Sequence, residues 1–181
     1  TSATIIAQQG INPANKLGYE LVTDASTLAF GDEVIIVAKN YDKALGVSTS
    51  NITSQTNFPA VDIVKSGNVI YDVEDAGAVI FTLTDCDVDG KFALQFTHKT
   101  NSYYLYIGST ALKGYASLGN YTKLSIAVDS SSGVATIKNS ASTTALVKFN
   151  GSSQKTFGAK KEADDDPTVV ANDIAIDKKQ K

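Results

Sequence analysis

Short apolar runs alternate with polar turn residues along almost the whole chain. The runs are rich in β-branched and aromatic residues, are bounded by Gly, Asn, Asp and Ser, and do not repeat at helical spacing over any window of about eleven residues. This pattern predicts an all-β protein. The clearest strands are predicted at residues 19–22, 33–38, 60–64, 78–84, 91–96, 103–107, 122–128, 134–138, 145–149 and 173–177.

Three segments of the chain share one pattern, which begins at Gly31, Gly90 and Gly133. Each has a turn glycine, a strand, a polar loop and a second strand with a leucine 14, 15 or 13 residues after the glycine. A third and a fourth strand follow each pair, so the sequence predicts three four-stranded repeats at about 31–89, 90–132 and 133–178. The first repeat is the longest, and we expect an insertion at 48–58 and an extra hairpin at 64–71.

Twelve strands in three units resemble the β-trefoil, a closed six-stranded barrel capped by three hairpins. Closure of a barrel removes the unpaired edges of an open sheet. The resemblance implies that one set of apolar positions fills the barrel and its cap. These are Val34, Ile36, Leu45, Leu83, Phe92, Leu94, Leu105, Leu124, Ile126, Ile137, Leu146 and Ile176.

A narrower resemblance lies in the segments YELVTDASTLAFGDEVIIVAKNYDKALG, SYYLYIG and LSIAVDSSSGVATIKN. They are similar to a domain that recurs in secreted and surface proteins of Bacteroidetes and related gut bacteria. The resemblance implies a trefoil domain over residues 18–181 that serves as the C-terminal module of a longer parent chain. Residues 1–17 are expected to be a linker or the exit of a preceding domain, with a disordered tail as the alternative.

Composition narrows the possible functions. All 16 basic residues are Lys, there are 19 acidic residues, and the net charge is −3, which argues against a phosphate-binding surface for nucleic acid. Cys86 and His98 are single, so neither an internal disulfide nor a Cys/His zinc site is expected. No apolar run approaches the roughly 20 residues of a membrane span, and we expect no membrane insertion and no cofactor. A chain rich in Ser, Thr, Asn and Gly with one Cys suits a secreted or cell-surface protein.

The richest aromatic stretch is Tyr103-Tyr104-Leu105-Tyr106-Ile107. If Leu105 faces the core, strand alternation turns Tyr104 and Tyr106 outward. Exposed tyrosines can stack on the apolar face of a sugar ring, whereas cross-strand aromatic pairs can equally well only stabilise a sheet. The expected ligand-binding residues are Tyr104, Tyr106, Tyr115, Asn101 and Tyr41, with Tyr41 and Asn101 in equivalent hairpin loops of two repeats.

The segment Asp85-Cys86-Asp87-Val88-Asp89-Gly90 has the spacing of the first half of a calcium loop. The later positions carry Ala93 and Phe96 instead of oxygen ligands, so Asp85, Asp87 and Asp89 form only a weak metal candidate. A simple Asp-Gly turn between the first two repeats explains the same residues.

Catalysis has little support in the sequence. His98 is expected to be an exposed residue of a polar loop, and Cys86 lies between two Asp residues, a setting that makes a cysteine a poor nucleophile. We therefore expect a non-catalytic binding module of an exported bacterial protein, with a glycan or a surface protein as its partner. The alternative is a structural or inhibitor-like module, in which the 48–58 insertion docks into a protein.

Overall fold

The computed structural model describes residues 16–151 and 155–181, and in these residues the chain forms an all-β structure with only short helical turns. The helical segments are α1 (Val73–Ala76) and three 3₁₀ turns at Ala25–Thr27, Glu162–Asp164 and Val170–Asn172. The strands are β1 (Tyr19–Leu21), β2 (Glu33–Ala38), β3 (Lys43–Leu45), β4 (Phe58–Asp62), β5 (Val64–Ser66), β6 (Val69–Tyr71), β7 (Phe81–Thr84), β8 (Ala93–His98), β9 (Asn101–Ile107), β10 (Leu112–Tyr115), β11 (Ser125–Val128), β12 (Val134–Lys138), β13 (Ala145–Asn150), β14 (Thr156–Lys161) and β15 (Ile174–Lys179).

Each predicted strand overlaps an observed strand, and the predicted hairpin at 64–71 is formed by β5 and β6. The three glycines at the repeat starts all have left-handed backbones, with φ of 90° at Gly31, 76° at Gly90 and 76° at Gly133. A side chain makes that conformation costly, which explains why glycine recurs at this point of the pattern. The predicted linker at 1–17 lies outside the described residues except for Lys16 and Leu17.

The strands close into an antiparallel barrel, but the closed ladder has seven strands and not the predicted six. Its order is β2, β3, β4, β14, β13, β12 and β15, and β15 pairs with β2 to complete the ring. The difference arises because two hairpins join each other: β4 of the first repeat pairs with β14 of the third through Phe58 and Phe157. Hairpin strands that were expected only to cap the barrel are thereby drawn into the ring.

The second repeat joins this ring from one side. β7 pairs with both β2 and β8, and β8, β9 and β10 follow as an antiparallel meander. β11 pairs with β12, and a single bridge between Phe92 and Leu124 links the start of β8 to the approach of β11.

The barrel interior holds the main core. Of the twelve apolar positions predicted to be buried, ten are buried. Phe92 and Ile126 are only partly buried and pack against this core from its margin. Four phenylalanines that the prediction did not include are fully enclosed: Phe58, Phe81, Phe149 and Phe157.

A second, smaller core lies on the outer face of the barrel wall. Ile35 and Val37 of β2 and Ala175 of β15 point away from the interior, and Ile70 of β6 and Val73 of α1 cover them. The extra hairpin of the first repeat is therefore a lid over the outside of the barrel.

The 48–58 insertion is packed onto the second repeat. The backbone N–H groups of Leu112 and Gly114 donate to the carbonyls of Thr56 and Ile52 at 2.9 and 2.8 Å. Ile52 is 3% exposed, so the insertion is anchored by both hydrogen bonds and apolar burial. Among the described residues, no helix has the length and apolar character needed to cross a membrane.

Candidate functional site

The aromatic face of β9 is displayed on the outside of the β8–β9–β10 meander. Leu105 and Ile107 are fully buried, so strand alternation directs Tyr104 and Tyr106 to the outer face, as predicted. The antiparallel register then places Tyr115 opposite Tyr104.

The tyrosine surface consists of Tyr104, Tyr106, Tyr115, Tyr121 and Lys113. The ring of Tyr106 is stacked on that of Tyr121, with centroids 4.8 Å apart and planes at 23°, and is tilted against Tyr115 at 5.2 Å. The ammonium of Lys113 lies 4.6 Å from the Tyr106 centroid, within the range of a cation–π contact. Tyr106 is the centre of the cluster.

Exposure within the tyrosine surface differs from the prediction. Tyr104 and Tyr106 are only partly exposed, because their neighbours cover them. The accessible rings are Tyr115 at 44% and Tyr121 at 41%. A ligand would therefore meet Tyr115 and Tyr121 first, with Tyr106 holding both rings in place.

Tyr121 was not predicted as a site residue, since it lies in an irregular polar segment. Its backbone carbonyl accepts a hydrogen bond from the N–H of Ile107 at 3.0 Å, which ties the segment to the end of β9. The hydroxyl of Thr122, 1% exposed, accepts from the N–H of Gly119 at 2.8 Å and fixes the turn. The alternation of residues within strands does not predict this contact between Tyr121 and the end of β9.

The surroundings of Tyr106 keep its phenol neutral. Burial raises the pKa of Tyr106 above its usual value, and the neighbouring phenols of Tyr121 and Tyr115 raise it further. A neutral phenol both donates and accepts hydrogen bonds. The cluster therefore offers apolar ring faces with hydroxyl groups at their rims.

Asn101 and Tyr41 do not join the tyrosine surface. Asn101 is exposed at the hairpin end of β9, five residues from Tyr106, which corresponds to roughly 16 Å of strand. Tyr41 packs on Phe149 at 5.1 Å, and its hydroxyl donates to the Gly151 carbonyl at 3.2 Å. The ring of Tyr41 also lies under the ammonium of Lys155 at 4.3 Å, so its contacts are structural.

The Asp85–Asp89 segment forms a turn. The carboxylate of Asp85 accepts a hydrogen bond from the N–H of Asp87 at 2.9 Å, and Asp87 has φ of 64°. Asp89 is exposed, and among residues 16–151 and 155–181 no three His, Cys, Asp or Glu side chains converge as metal ligands would. The turn accounts for the pattern of these carboxylates.

His98 was predicted to be exposed, and that prediction was wrong. The loop between β8 and β9 is only two residues long, so His98 remains in the strand, where it is 9% exposed and lies 6.4 Å from the ring of Tyr103. Cys86 is a free thiol, as expected, and it is fully buried.

Comparison with known proteins supports the fold. No protein-family model matches the chain, and no curated protein matches it. Among solved structures, the chain is similar to the designed 3-fold symmetric protein ThreeFoil, a β-trefoil, with a TM-score of 0.51 and 16% identity over 80% of this chain and 96% of that one.

A second similar structure is a Trp-to-Ala variant of HCR/D, a domain of a botulinum neurotoxin that contains a β-trefoil. The TM-score is 0.54 and the identity 12%, over 87% of this chain and 43% of that chain. This chain thus spans less than half the length of that structure. At these identities the comparisons show a shared trefoil-like fold, and a fold alone hosts many functions.

Proposed function

We propose that the chain is a β-trefoil binding module, without catalytic activity, that attaches an exported bacterial protein to carbohydrate through the tyrosine surface. The observation that carries the proposal is the pair of accessible rings, Tyr115 and Tyr121, held against Tyr106 on the outer face of the second repeat.

The strand pairings support a trefoil arrangement that shares β2, β12 and β15 with the seven-strand ring. The first and fourth strands of the three repeats are β2 and β7, β8 and β11, and β12 and β15. Each is joined to the next by a ladder, except that β8 and β11 meet only through the bridge between Phe92 and Leu124. Counted with this bridge, the six strands form the trefoil barrel, and the β4–β14 pairing is an addition to it.

Sugar is the ligand that the chemistry of the surface favours. A pyranose ring has one face of C–H groups, which packs on an aromatic face, and hydroxyl groups at its edge. Phenol hydroxyls at the rims of Tyr115 and Tyr121 and the ammonium of Lys113 supply hydrogen-bond partners for those hydroxyls. An open surface of this kind gives weak single contacts, and affinity would come from several copies or from other domains of the parent chain.

We also propose that the protein is secreted or displayed at the cell surface. This proposal rests on the composition and on the resemblance to domains of Bacteroidetes surface proteins.

The protein-docking alternative loses its main support, because the 48–58 insertion is held against β10 with Ile52 buried. A loop that inserts into a protease needs a projecting and accessible apical segment.

The test is binding of the isolated chain to a glycan array, followed by calorimetry with one positive glycan. We expect Tyr115→Ala and Tyr121→Ala each to weaken binding about tenfold or more, as loss of a stacking ring does at sugar and base platforms. Tyr115→Phe should retain most of the affinity if ring stacking dominates over the hydroxyl.

Phe30→Ala is the matched control, because Phe30 is an aromatic residue of similar exposure, 58%, that contacts Phe92 and not the tyrosine surface. Binding should be unchanged in this variant. Silence across a broad array, or equal loss in all three alanine variants, would contradict the proposal and favour a structural module.

A further inference from the structure

A cleft on the outer wall of the barrel lies apart from the tyrosine surface. It has a volume of about 680 Å³ and is bounded by the β5–β6 hairpin, by β1, and by the outward faces of β2 and β15. Its floor is apolar, with Val37 and Ala175, and its rim carries Asn68 and Thr23. Binding sites for small molecules in proteins have volumes of roughly 300 to 1,000 Å³, so one or two sugar rings would fit.

A buried carboxylate lies in the wall of this cleft. Asp177 is 4% exposed and sits in β15 between Leu21 of β1 and Ile35 of β2. Its carboxylate has neither a hydrogen bond nor an ion pair with any described residue. The carboxylate oxygens are nevertheless not wholly enclosed. Among the described residues, Gln55 Oε1 alone is a wholly enclosed side-chain oxygen or nitrogen without a hydrogen-bond partner. The carboxylate therefore opens towards the cleft.

Burial raises the pKa of Asp177 to about 7, and Lys65 and Lys39 act against this rise. An unpaired carboxylate in such a place is destabilising, since burial of a polar group costs free energy unless a partner satisfies it. A ligand that supplies the missing hydrogen-bond donors would offset that cost.

Two lysines line the same cleft. Lys39 has no ion pair within 4.0 Å among the described residues, and Lys65 is 3.9 Å from Asp42 at the surface. Glu20, the other acid of the lining, accepts a hydrogen bond from Gln180. The cleft thus combines a buried acceptor with the ammonium of Lys39, which has no ion pair among the described residues, and that of Lys65, which has only a long one.

We propose that this cleft binds a sugar acid, a pyranose ring that carries a carboxylate, with ring hydroxyls donating to Asp177 and the ligand carboxylate paired with Lys39 and Lys65. A vicinal diol presents two donors to one carboxylate, and an ammonium pairs strongly with a carboxylate. A ligand ammonium fits the site less well, because the two lysines would repel it. The proposal is independent of the tyrosine surface.

The test is titration of the isolated chain with methyl β-glucuronide. Methyl β-glucoside is the neutral counterpart, and glycine is a small zwitterion for comparison. We expect the glucuronide to bind about tenfold or more tightly than either of the others. Amide shifts in ¹⁵N NMR spectra should be confined to residues around the cleft, such as Val37, Asn68 and Ala175.

Two variants locate the contacts. Asp177→Asn and Lys39→Gln should each weaken glucuronide binding about tenfold, whereas Lys161→Gln, at an exposed lysine outside both the cleft and the tyrosine surface, should leave it unchanged. Thermal denaturation of each variant shows that the fold is retained. Absence of glucuronide binding, preference for glycine, equal binding of the neutral glucoside, or insensitivity to both substitutions would overturn the proposal.

Discussion

At the scale of single residues, the repeat glycines show which structural features a sequence pattern can predict. Gly31 and Gly90 are recognisable because a left-handed backbone leaves a direct mark on residue type. Tyr121 and Asp177 leave no such mark. Their importance depends on which strands lie beside them, so a linear pattern of polar and apolar residues does not single them out.

The turn glycines give a direct prediction. Gly31→Ala and Gly90→Ala should each lower the free energy of unfolding by about 1 kcal/mol, because φ is positive at both sites while no other atom lies within 4 Å of an added Cβ. Urea denaturation measures the loss. Gly119→Ala is the matched control, since Gly119 also has open space around it but no positive φ, and a similar loss there would contradict this explanation.

Asp177 makes a prediction about pH. Its ordinary pKa of 3.8 rises to about 7 on folding because of burial, so the folded chain holds a proton that the unfolded chain releases between these values. This residue therefore lowers stability as pH rises from about 4 to about 7. Asp177→Asn removes the effect and should be more stable than the parent at pH 8 by up to about 4 kcal/mol.

Urea denaturation of Asp177→Asn and its parent at pH 4.5, 6 and 8 tests this. The difference between the two proteins should be small at the lowest pH and should grow with pH. A constant difference would show that the carboxyl group is not desolvated in the folded state.

At the scale of elements, strands with regular alternation were predictable, whereas the short helix and the insertion between strands were predictable only in part. β2 and β12 have the predicted bounds, because alternating or continuous apolar residues are a local signal. α1 was not predicted, since four residues are too few to show a helical period. The insertion was located in the sequence, but its docking onto β10 depends on residues of another repeat.

Gly114 tests this docking. A methyl group at Gly114 would lie 2.8 Å from Ile52 Cγ1 and 3.0 Å from Phe96 Cζ, both on buried side chains. Gly114→Ala should therefore destabilise the protein by about 1 to 3 kcal/mol and push the insertion away from β10. Limited proteolysis should then cut within 48–58 sooner than in the parent. Unchanged cleavage and unchanged stability would show that the insertion is not held at this point.

At the scale of the whole molecule, threefold sequence repetition coexists with unequal repeats. The three hairpin loops correspond in topology, yet Tyr41 is packed on Phe149, Asn101 is exposed, and the amide of Asn139 is buried and donates to the Ile107 carbonyl at 2.6 Å. Barrel closure was predictable from the repeats. The seven-strand ring was not, because it depends on two hairpins meeting at Phe58 and Phe157.

This inequality predicts a single site for a neutral glycan. Among residues 16–151 and 155–181, only the second repeat places several tyrosines on one outer face. Calorimetric titration of the isolated domain with a glycan identified on the array should therefore give a stoichiometry near one. A value near three would show that all repeats bind alike and that the tyrosine surface is not the site.

The position of β15 has a consequence for synthesis of the protein. β15 lies between β2 and β12 and also pairs with β1, so strands from the first and third repeats depend on it for a partner. While the ribosome is still making residues 174–179, those strands present unpaired edges, which are ready templates for association with other chains. The barrel therefore cannot close until residues 174–179 have been synthesised and have paired with these strands.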